Sequence, residues 1–489
     1  MNLVVVSNRV SRGKPNEPMT GGLAAALLPI VEKSGAIWVG SSGRVRDGNL
    51  KEPFAEIEAL GTGALAMLDL PAAHYGGYYE GFANSALWPA LHSRADLIRS
   101  SQDDYLSYRE VNAFMARALL RFRKPDSAFW IQDYHFLALG AELRDLGVTQ
   151  PIGFFLHTPW PTRSVIGGVP HHRELIEAML AYDLIGFQTE EDCENFLSYA
   201  RGDLGLAVHD GVIVSRHGRT RAAVFPIGID PQQFAQLAAK ASTHPDVSRL
   251  RRSLNGEKLA IGVDRLDYSK GLINRIKAFD RMWTLHPQLL RTASLLQIAT
   301  PSRGAIEAYG NLQNEVARLV SDVNGQHGEV DWTPIRYLNK GYGQAVLAGL
   351  YRTAQVGVVT PLQDGMNLVA KEYVAAQNPV DPGVLVLSKF AGAANELDTA
   401  LIVNPHDIDG MARTIATALS MPLTERRMRW EAMMAKLRVG TIQQWFADFT
   451  DALRECQLDR EEPEEPATVV TEPALWPLRS ATTNGVRFH

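Results

Sequence analysis

Charged and polar residues gather where the short apolar runs of this chain end. After the run Leu259–Val263 comes Asp264-Arg265-Leu266-Asp267-Tyr268-Ser269-Lys270-Gly271, so Arg265 and Lys270 flank one loop. Two cations beside a helix start can neutralise a diphosphate, Arg as a bidentate fork and Lys as a point charge. The run Val356–Val359 stops before Pro361, the polar turn Gln363-Asp364-Gly365 follows, and a helical pattern opens at Met366. A helix N-terminus that follows a strand offers unpaired N–H groups and a positive dipole end to an anion. Glu372 stands eight residues after Asp364, about two helical turns, so it lies along the same face. Elsewhere the runs end in Ser7-Asn8-Arg9, Gln132-Asp133-Tyr134-His135, His157-Thr158-Pro159 and Thr300-Pro301-Ser302-Arg303-Gly304. Four cations at strand ends, Arg9, Arg265, Lys270 and Arg303, with carboxylates scattered among them, suit a phosphorylated sugar or a nucleotide. The plainer roles are a solvated surface charge for each cation and helix capping for each Asp near a helix start.

The elements that must position these residues are legible as alternating apolar runs and amphipathic stretches. Ten runs read as buried strands: Leu3–Val6, Ala36–Val39, Ala128–Ile131, Ile152–Leu156, Leu184–Phe187, Val224–Ile227, Leu259–Val263, Ser294–Ile298, Val356–Val359 and Val384–Leu387. Near-continuous aliphatic runs separated by helices predict parallel sheets covered on both faces. Ten strands exceed one doubly wound sheet and suit two, and 489 residues exceed one typical core. The division is expected at Gly228-Ile229-Asp230-Pro231, giving domains over 1–230 and 231–439. The acidic, Pro-rich stretch after Arg460 predicts a disordered tail, taken over 456–489, in which Trp476 is an isolated aromatic.

Composition excludes several classes. Hydrophobic content of 46% and charged content of 21% are those of a globular protein, and a net charge of −5 gives no support for nucleic-acid binding. The two cysteines, Cys193 and Cys456, have no metal-ligand spacing, and the start MNLVVVSNRV is a strand and not a signal peptide. A cytoplasmic protein without a membrane span is expected. The only Asp-x-Asp, Asp407-Ile408-Asp409, precedes a helix, where capping is the expected role, so no metal site and no cofactor are expected.

Long ordered segments then carry a resemblance. SNR with Gly21-Gly22, YYEGFANSALWPALH, WIQDYH, FFLHTPWP, DRLDYSKG, TPSRG and PLQDGMNLVAKEYVAAQ resemble the trehalose-6-phosphate synthase family, from about Leu3 to Leu453. The resemblance implies a glycosyltransferase B fold: two Rossmann-like doubly wound parallel-sheet domains, an acceptor-binding N-terminal one and a nucleotide-sugar-binding C-terminal one, around an active-site cleft. A final helix, about 440–455, is expected to cross back onto the first domain. The implied activity is retaining, metal-independent transfer of glucose from a nucleotide-glucose, UDP-glucose in the first place, to glucose 6-phosphate, giving α,α-trehalose 6-phosphate. A homo-oligomer, dimer or tetramer, is expected.

Residue by residue, the resemblance places Arg9, Tyr79, Trp88, Asp133, Thr158 and Arg303 at the acceptor, with Trp88 and Thr158 shaping anomer selection. It places Gly22, His157, Arg265, Lys270, Tyr342, Asp364, Met366, Asn367, Leu368, Val369 and Glu372 at the donor. Asp133, His157, Arg265, Lys270 and Asp364 are the implied catalytic set. Arg265 and Lys270 would stabilise the departing diphosphate, Arg9 and Arg303 would clamp the acceptor phosphate, and Glu372 would accept ribose hydroxyls. The segment Ser11–Thr20 is expected to be mobile without ligand and to order when both substrates bind. Gln132 and Gln363 stand where the family commonly has His and Arg, and the run Trp38-Val39-Gly40-Ser41-Ser42-Gly43 lacks the second Trp that the family often has near the first glycine-rich turn. These departures leave open a related transferase with another acceptor, such as a glucosylglycerol-phosphate synthase or a pseudo-sugar coupling enzyme. A non-catalytic sugar-phosphate sensor is the rival from another class; loss of Arg9, Lys270 or Glu372 would favour it, and all three are present.

Overall fold

Two sheets account for the apolar runs. The computed structural model describes residues 2–10, 22–47, 53, 55–304 and 306–461. The first sheet holds β1 (Asn2–Arg9), β2 (Ile37–Arg46), β3 (Ala55–Leu60), β4 (Gly63–Pro71), β5 (Ser127–Gln132), β6 (Ile152–Phe155), β7 (Leu184–Phe187), β8 (Ala207–His209), β9 (Val212–Ser215) and β10 (Gly218–Val224), in the order β3-β4-β2-β1-β5-β6-β7-β10-β9-β8. The second holds β11 (Lys258–Arg265), β12 (Ala293–Thr300), β13 (Ile335–Leu338), β14 (Val356–Val359), β15 (Val384–Ser388) and β16 (Leu401–Val403), in the order β13-β12-β11-β14-β15-β16. The second sheet is wholly parallel. The first is parallel from β4 to β10, with antiparallel edges at β3 and at β8–β9.

Among the parallel strands both orders reverse once, between β1 and β5 in the first sheet and between β11 and β14 in the second. At such a switch point the connections leave in opposite directions and open a crevice beyond the carboxyl ends of the two strands. Arg9 and Asp133 stand at the first reversal, Arg265, Lys270 and Asp364 at the second. The central strands are buried on both faces, as in β5, β6, β7 and β14.

Six strands escape the sequence reading. β3 alternates exposed Glu56 and Glu58 with apolar residues at an edge, and β16 has three residues. The expected strand Val224–Ile227 is corrected to β10, which ends at Val224. Pro226 has no N–H to donate to a ladder, and Ile227 N–H instead donates to the Gln188 side chain at 3.0 Å.

The chain returns to its first sheet at the end. The segment around Ile229 pairs with Thr441, and Ile442 N–H donates to Ile229 C=O at 3.1 Å. The helix Ile442–Glu461 then lays Phe449 on Trp130 of β5, ring centroids 4.5 Å apart and 15° from parallel. Glycines in β6 and β7 make room: a Cβ on Gly153 or Gly186 would come within 2.7 or 2.8 Å of the Phe449 ring. The helix also runs past the expected start of the tail. Residues 456–461 are helical and Cys456 is buried, because the apolar face continues through Ala452, Leu453 and Cys456. The rest of that tail, with Trp476, lies outside the described residues, as does Ser11–Thr20. Among the described residues no helix is long and apolar enough to cross a membrane.

Phe449→Ala empties a site enclosed by Trp130, Phe155 and Phe225. Truncating a buried Phe costs about 3–5 kcal/mol, so the urea midpoint of the first lobe falls and the last helix becomes the earliest site of proteolysis. An unchanged midpoint would mean that this helix does not anchor the lobe.

Candidate active site

The loop after β11 is built to present Lys270. Asp267 Oδ1 accepts from the Ser269 N–H and hydroxyl at 3.0 and 2.9 Å, which winds residues Tyr268–Lys270 into one tight turn. Gly271 takes φ 67° against the Thr360 carbonyl, a conformation without cost to glycine, and launches the helix Leu272–Leu285. From that helix the fully buried Arg275 reaches back. Its guanidinium pairs with Asp264 and donates to Thr360 Oγ1 at 3.0 Å, Gln297 Oε1 at 3.0 Å and the Lys270 carbonyl at 3.3 Å. The ends of β11, β12 and β14 are tied by this one group.

Lys270 Nζ lies 2.5 Å from Asp364 Oδ2, and Asn367 Nδ2 donates to the same oxygen at 2.9 Å. Burial alone would push the Asp364 carboxyl up, but Lys270 and the Asn367 amide outweigh it and hold the group below its ordinary value. Asn367 takes φ 74°, which side chains rarely adopt, and caps the helix Leu368–Ala376 through Ala370 N–H at 3.4 Å. The helix N-terminus therefore opens beside the Lys270–Asp364 pair. Met366 is buried there, its carbonyl accepting from Ala393 N–H at 2.8 Å, while Leu368 and Val369 are partly buried.

A second cluster joins the two lobes through Arg303. Its guanidinium lies 3.8 Å above the Trp88 ring and donates to Tyr134 Oη at 2.9 Å, Tyr309 Oη at 2.6 Å and Asp267 Oδ2 at 3.3 Å. Arg265 stands over the same indole at 5.1 Å. Burial would push the Asp267 carboxyl up, yet Arg303 and Arg265 hold it far below the usual carboxylate range. Trp88 ends a long π-helix, Gly76–Leu87, in which the Asn84 amide donates to the Tyr79 carbonyl at 2.8 Å and Asn84 Oδ1 accepts from Tyr134 Oη at 2.8 Å. The wider π-turn is rare and gathers at functional sites. Here it carries Tyr79, stacked between Tyr75 and His135 at 5.5 and 5.9 Å. A cavity of about 920 Å³ is lined by Asn84 and Tyr309 but by none of the predicted site residues.

Asp133 and His157 meet where β5 and β6 end. Asp133 holds φ 72° and ψ 168°, a region almost confined to glycine, and strain of that kind marks sites where geometry is imposed by function. Its Oδ1 accepts from His157 N–H at 3.2 Å. Burial raises the Asp133 carboxyl to about 6, against the pull of the Tyr134 and His157 amides and of Arg265 and Arg303. Burial also lowers His157 to about 3, so its ring is neutral. The lobes touch here: a Cβ on Gly365 would overlap the His157 carbonyl, and one on Gly392 would crowd the Thr189 methyl. Thr158 is buried at this contact, its hydroxyl without a hydrogen-bond partner among the described residues.

The structure thus joins Trp88, Arg265 and Arg303, Lys270 with Asp364 and Asn367, and Asp133 with His157. Among the described residues, Arg9, Tyr342 and Glu372 make no hydrogen bond to the other predicted site residues. Arg9 is exposed with its guanidinium against Gly43, Tyr342 lies under Lys340 at 5.1 Å, and Glu372 is half-buried. Gly22 opens the helix Gly22–Ser34. Asp407 caps a helix through Gly410 N–H at 2.8 Å and Asp409 pairs with Arg281 at 2.7 Å, so that Asp-x-Asp is spent on structure. The sequence reading missed Tyr134, Tyr309, Asn84 and Asp267. Of these only Asp267 carried a signal, a second carboxylate between the two cations of its loop.

Two doubly wound sheets that face each other across a cation-rich cleft define a glycosyltransferase of the GT-B architecture. The chain belongs to glycosyltransferase family 20, whose pattern matches residues 3–455. It is 46% identical over 455 residues to the trehalose-6-phosphate synthase of Sinorhizobium fredii (strain NBRC 101917 / NGR234), covering 92% of this chain and 98% of the relative. An α,α-trehalose-phosphate synthase (UDP-forming) from Burkholderia xenovorans, solved with glucose-6-phosphate, superposes with a TM-score of 0.90 at 44% identity, covering 93% of this chain and 100% of its own. The E. coli trehalose-6-phosphate protein bound with UDP-2-fluoro glucose gives 0.87 at 39% identity, covering 93% and 99%.

Glu372 provides a test in the unliganded protein. Burial raises its carboxyl from 4.5 to about 7. A raised carboxyl stabilises the fold fully below its unfolded value, and that contribution is lost as pH rises through the folded value. Glu372→Gln should match the parent in urea midpoint at pH 4 and exceed it above pH 7. Equal midpoints at pH 8 would mean that the carboxylate is compensated.

Proposed function

We propose that this chain transfers glucose from UDP-glucose to glucose 6-phosphate, giving α,α-trehalose 6-phosphate with retention of the donor's α configuration and without a metal ion. The observation that carries the reading is Arg303, a buried guanidinium stacked on Trp88 and shared by both lobes at the mouth of the donor pocket. A buried cation beside a second cation, Arg265, over one indole is a receptor for a phosphate and for a sugar ring. The relatives solved with glucose-6-phosphate and with UDP-2-fluoro glucose support the same pair of substrates.

In this reading residues 1–230 bind the acceptor, residues 231–439 bind the donor, and the last helix fastens the two. Arg303 and Arg9 hold the 6-phosphate, Tyr79 and Asp133 orient the acceptor sugar, and Trp88 and Thr158 select its anomer. Gly22, Tyr342 and the Met366–Val369 segment enclose the nucleotide-sugar, and Glu372 accepts its ribose hydroxyls. His157 and Asp364 face the donor glucose. Lys270 must be shared between Asp364 and the diphosphate, and its three N–H donors allow that. As the bond from the anomeric carbon to the diphosphate breaks, Arg265 and Lys270 meet the charge that grows on the leaving oxygen. The acceptor hydroxyl adds on the same face, and its proton passes to the departing diphosphate. The protein acts as a homo-oligomer.

Incubation with glucose 6-phosphate and a panel of UDP-, GDP- and ADP-glucose identifies the product by mass and by digestion. UDP-glucose is expected to serve best, and absence of any disaccharide phosphate would overturn the reading. Lys270→Ala and Arg265→Ala should each lower turnover roughly a hundred- to a thousandfold, the usual effect of removing one such contact; near-normal rates in both would refute the diphosphate assignment.

Arg303→Ala should erase most of the preference for glucose 6-phosphate over glucose, since charged hydrogen bonds contribute about 1.5–3 kcal/mol each. A variant that discriminates like the parent would show that Arg303 does not read the phosphate. Activity should persist in excess EDTA, and loss that Mg²⁺ restores would contradict the metal-free mechanism.

A further inference from the structure

Gln132, the last residue of β5, is fully buried, yet its side chain is poorly served by its surroundings. Its Nε2 has no hydrogen-bond partner among the described residues. Among the described residues its side chain makes one bond, 2.9 Å from Oε1 to the Nε2 of His157. A buried amide with unpaired N–H groups costs the fold more than an apolar residue of the same shape would. The expense therefore needs a reason outside stability.

That reason lies in His157. Its main-chain N–H is held by Asp133 at 3.2 Å, and its ring is boxed by Phe155 at 4.7 Å and by Trp445 of the last helix at 6.0 Å. The ring thus has a fixed place, and the open variable is which nitrogen carries the proton. A carbonyl oxygen accepts and cannot donate, so an amide oxygen at Nε2 selects the Nε2–H form and leaves the lone pair on Nδ1.

We propose that Gln132 is a positioning residue for the donor sugar: it locks His157 as the Nε2–H tautomer, so that Nδ1 accepts a hydrogen bond from a hydroxyl of the donor glucose. This rests on the reading above, in which His157 faces that sugar. Gln132 itself touches no substrate. An amide does not titrate, so the lock holds across the working pH range.

Two measurements test it. Side-chain ¹⁵N spectra of the histidine-labelled protein, with the His157 signal identified by its loss in His157→Ala, should show Nε2–H in the parent and a tautomer mixture in Gln132→Met. In kinetics, Gln132→Met should lower kcat/KM for the nucleotide-glucose roughly five- to tenfold, the effect of one neutral hydrogen bond, and leave KM for glucose 6-phosphate unchanged. In a His157→Ala background the same substitution should have no further effect, because both changes remove one interaction. Should Gln132→Met not fold, Gln132→Asn, one methylene too short to reach the ring, takes its place. An Nδ1–H parent, an unchanged spectrum in the variant, or a Gln132 effect that survives in His157→Ala would each overturn the proposal. A His157→Ala enzyme with the parent's donor kinetics would instead remove the premise that His157 faces the donor.

Discussion

The second lobe is organised around one buried cation. Arg275 has no exposed surface, and its guanidinium joins Asp264 at the end of β11, Gln297 on β12, Thr360 just past β14 and the carbonyl of Lys270. Gly262 lies beneath it, where any Cβ would strike the guanidinium. Parallel strands are linked by slanted hydrogen bonds along their length but have nothing intrinsic to align the loops that leave them. A planar fork with five donors supplies that alignment and cannot lose its charge. The strand ends bearing Arg265, Lys270 and Asp364 inherit their spacing from this residue, which itself faces no ligand.

Two of the cations in the cleft already have a carboxylate partner. Lys270 faces Asp364, and Arg303 faces Asp267. Full desolvation of a lone cation is prohibitive, whereas a paired one with further hydrogen bonds is tolerated. Each pair keeps unused donors on a cation already aimed and largely dry. The backbone bears the complementary strain: Asp133, Arg303 and Asn367 all hold positive φ. Such conformations persist only where the surroundings over-determine them, and here the surroundings are the sheet ends, the π-helix and the contact between lobes.

How much of this could be read from the chain depends on the range of the interaction. Buried strands such as β5 and β14 announce themselves because, Gln132 at the end of β5 apart, every residue is apolar or small, and strand-end polar residues follow directly. The edge strand β3 hides because its alternating Glu residues read as surface, and β13 because Arg336 and Tyr337 interrupt it. Strand order is not local, so the two switch points could not be seen, although the residues that occupy them could. The same limit applies to the site. Lys270 and Asp364 were legible as residues but not as a pair, being 94 positions apart, and Tyr134 gave no sign that Arg303, 169 positions away, would need its hydroxyl. The end of the last helix was misjudged because acidic residues begin while its buried face still runs to Cys456.

That last helix has a consequence for how the molecule is made. Trp445 and Phe449 are among the final residues of the described chain to leave the ribosome, yet they cover Trp130, Gly153 and Gly186 at the centre of the first sheet and close one side of the His157 ring. The stretch between the end of β10 and Phe449 takes about 10–45 s to synthesise at about 5–20 residues per second, and for that time the first lobe lacks its lid. A nascent first lobe is therefore a sheet with an uncovered aromatic groove, open to chaperones and to other nascent chains. Assembly of the site waits for this helix: a chain lacking it would carry every strand of both sheets and still lack the wall against which its histidine is held.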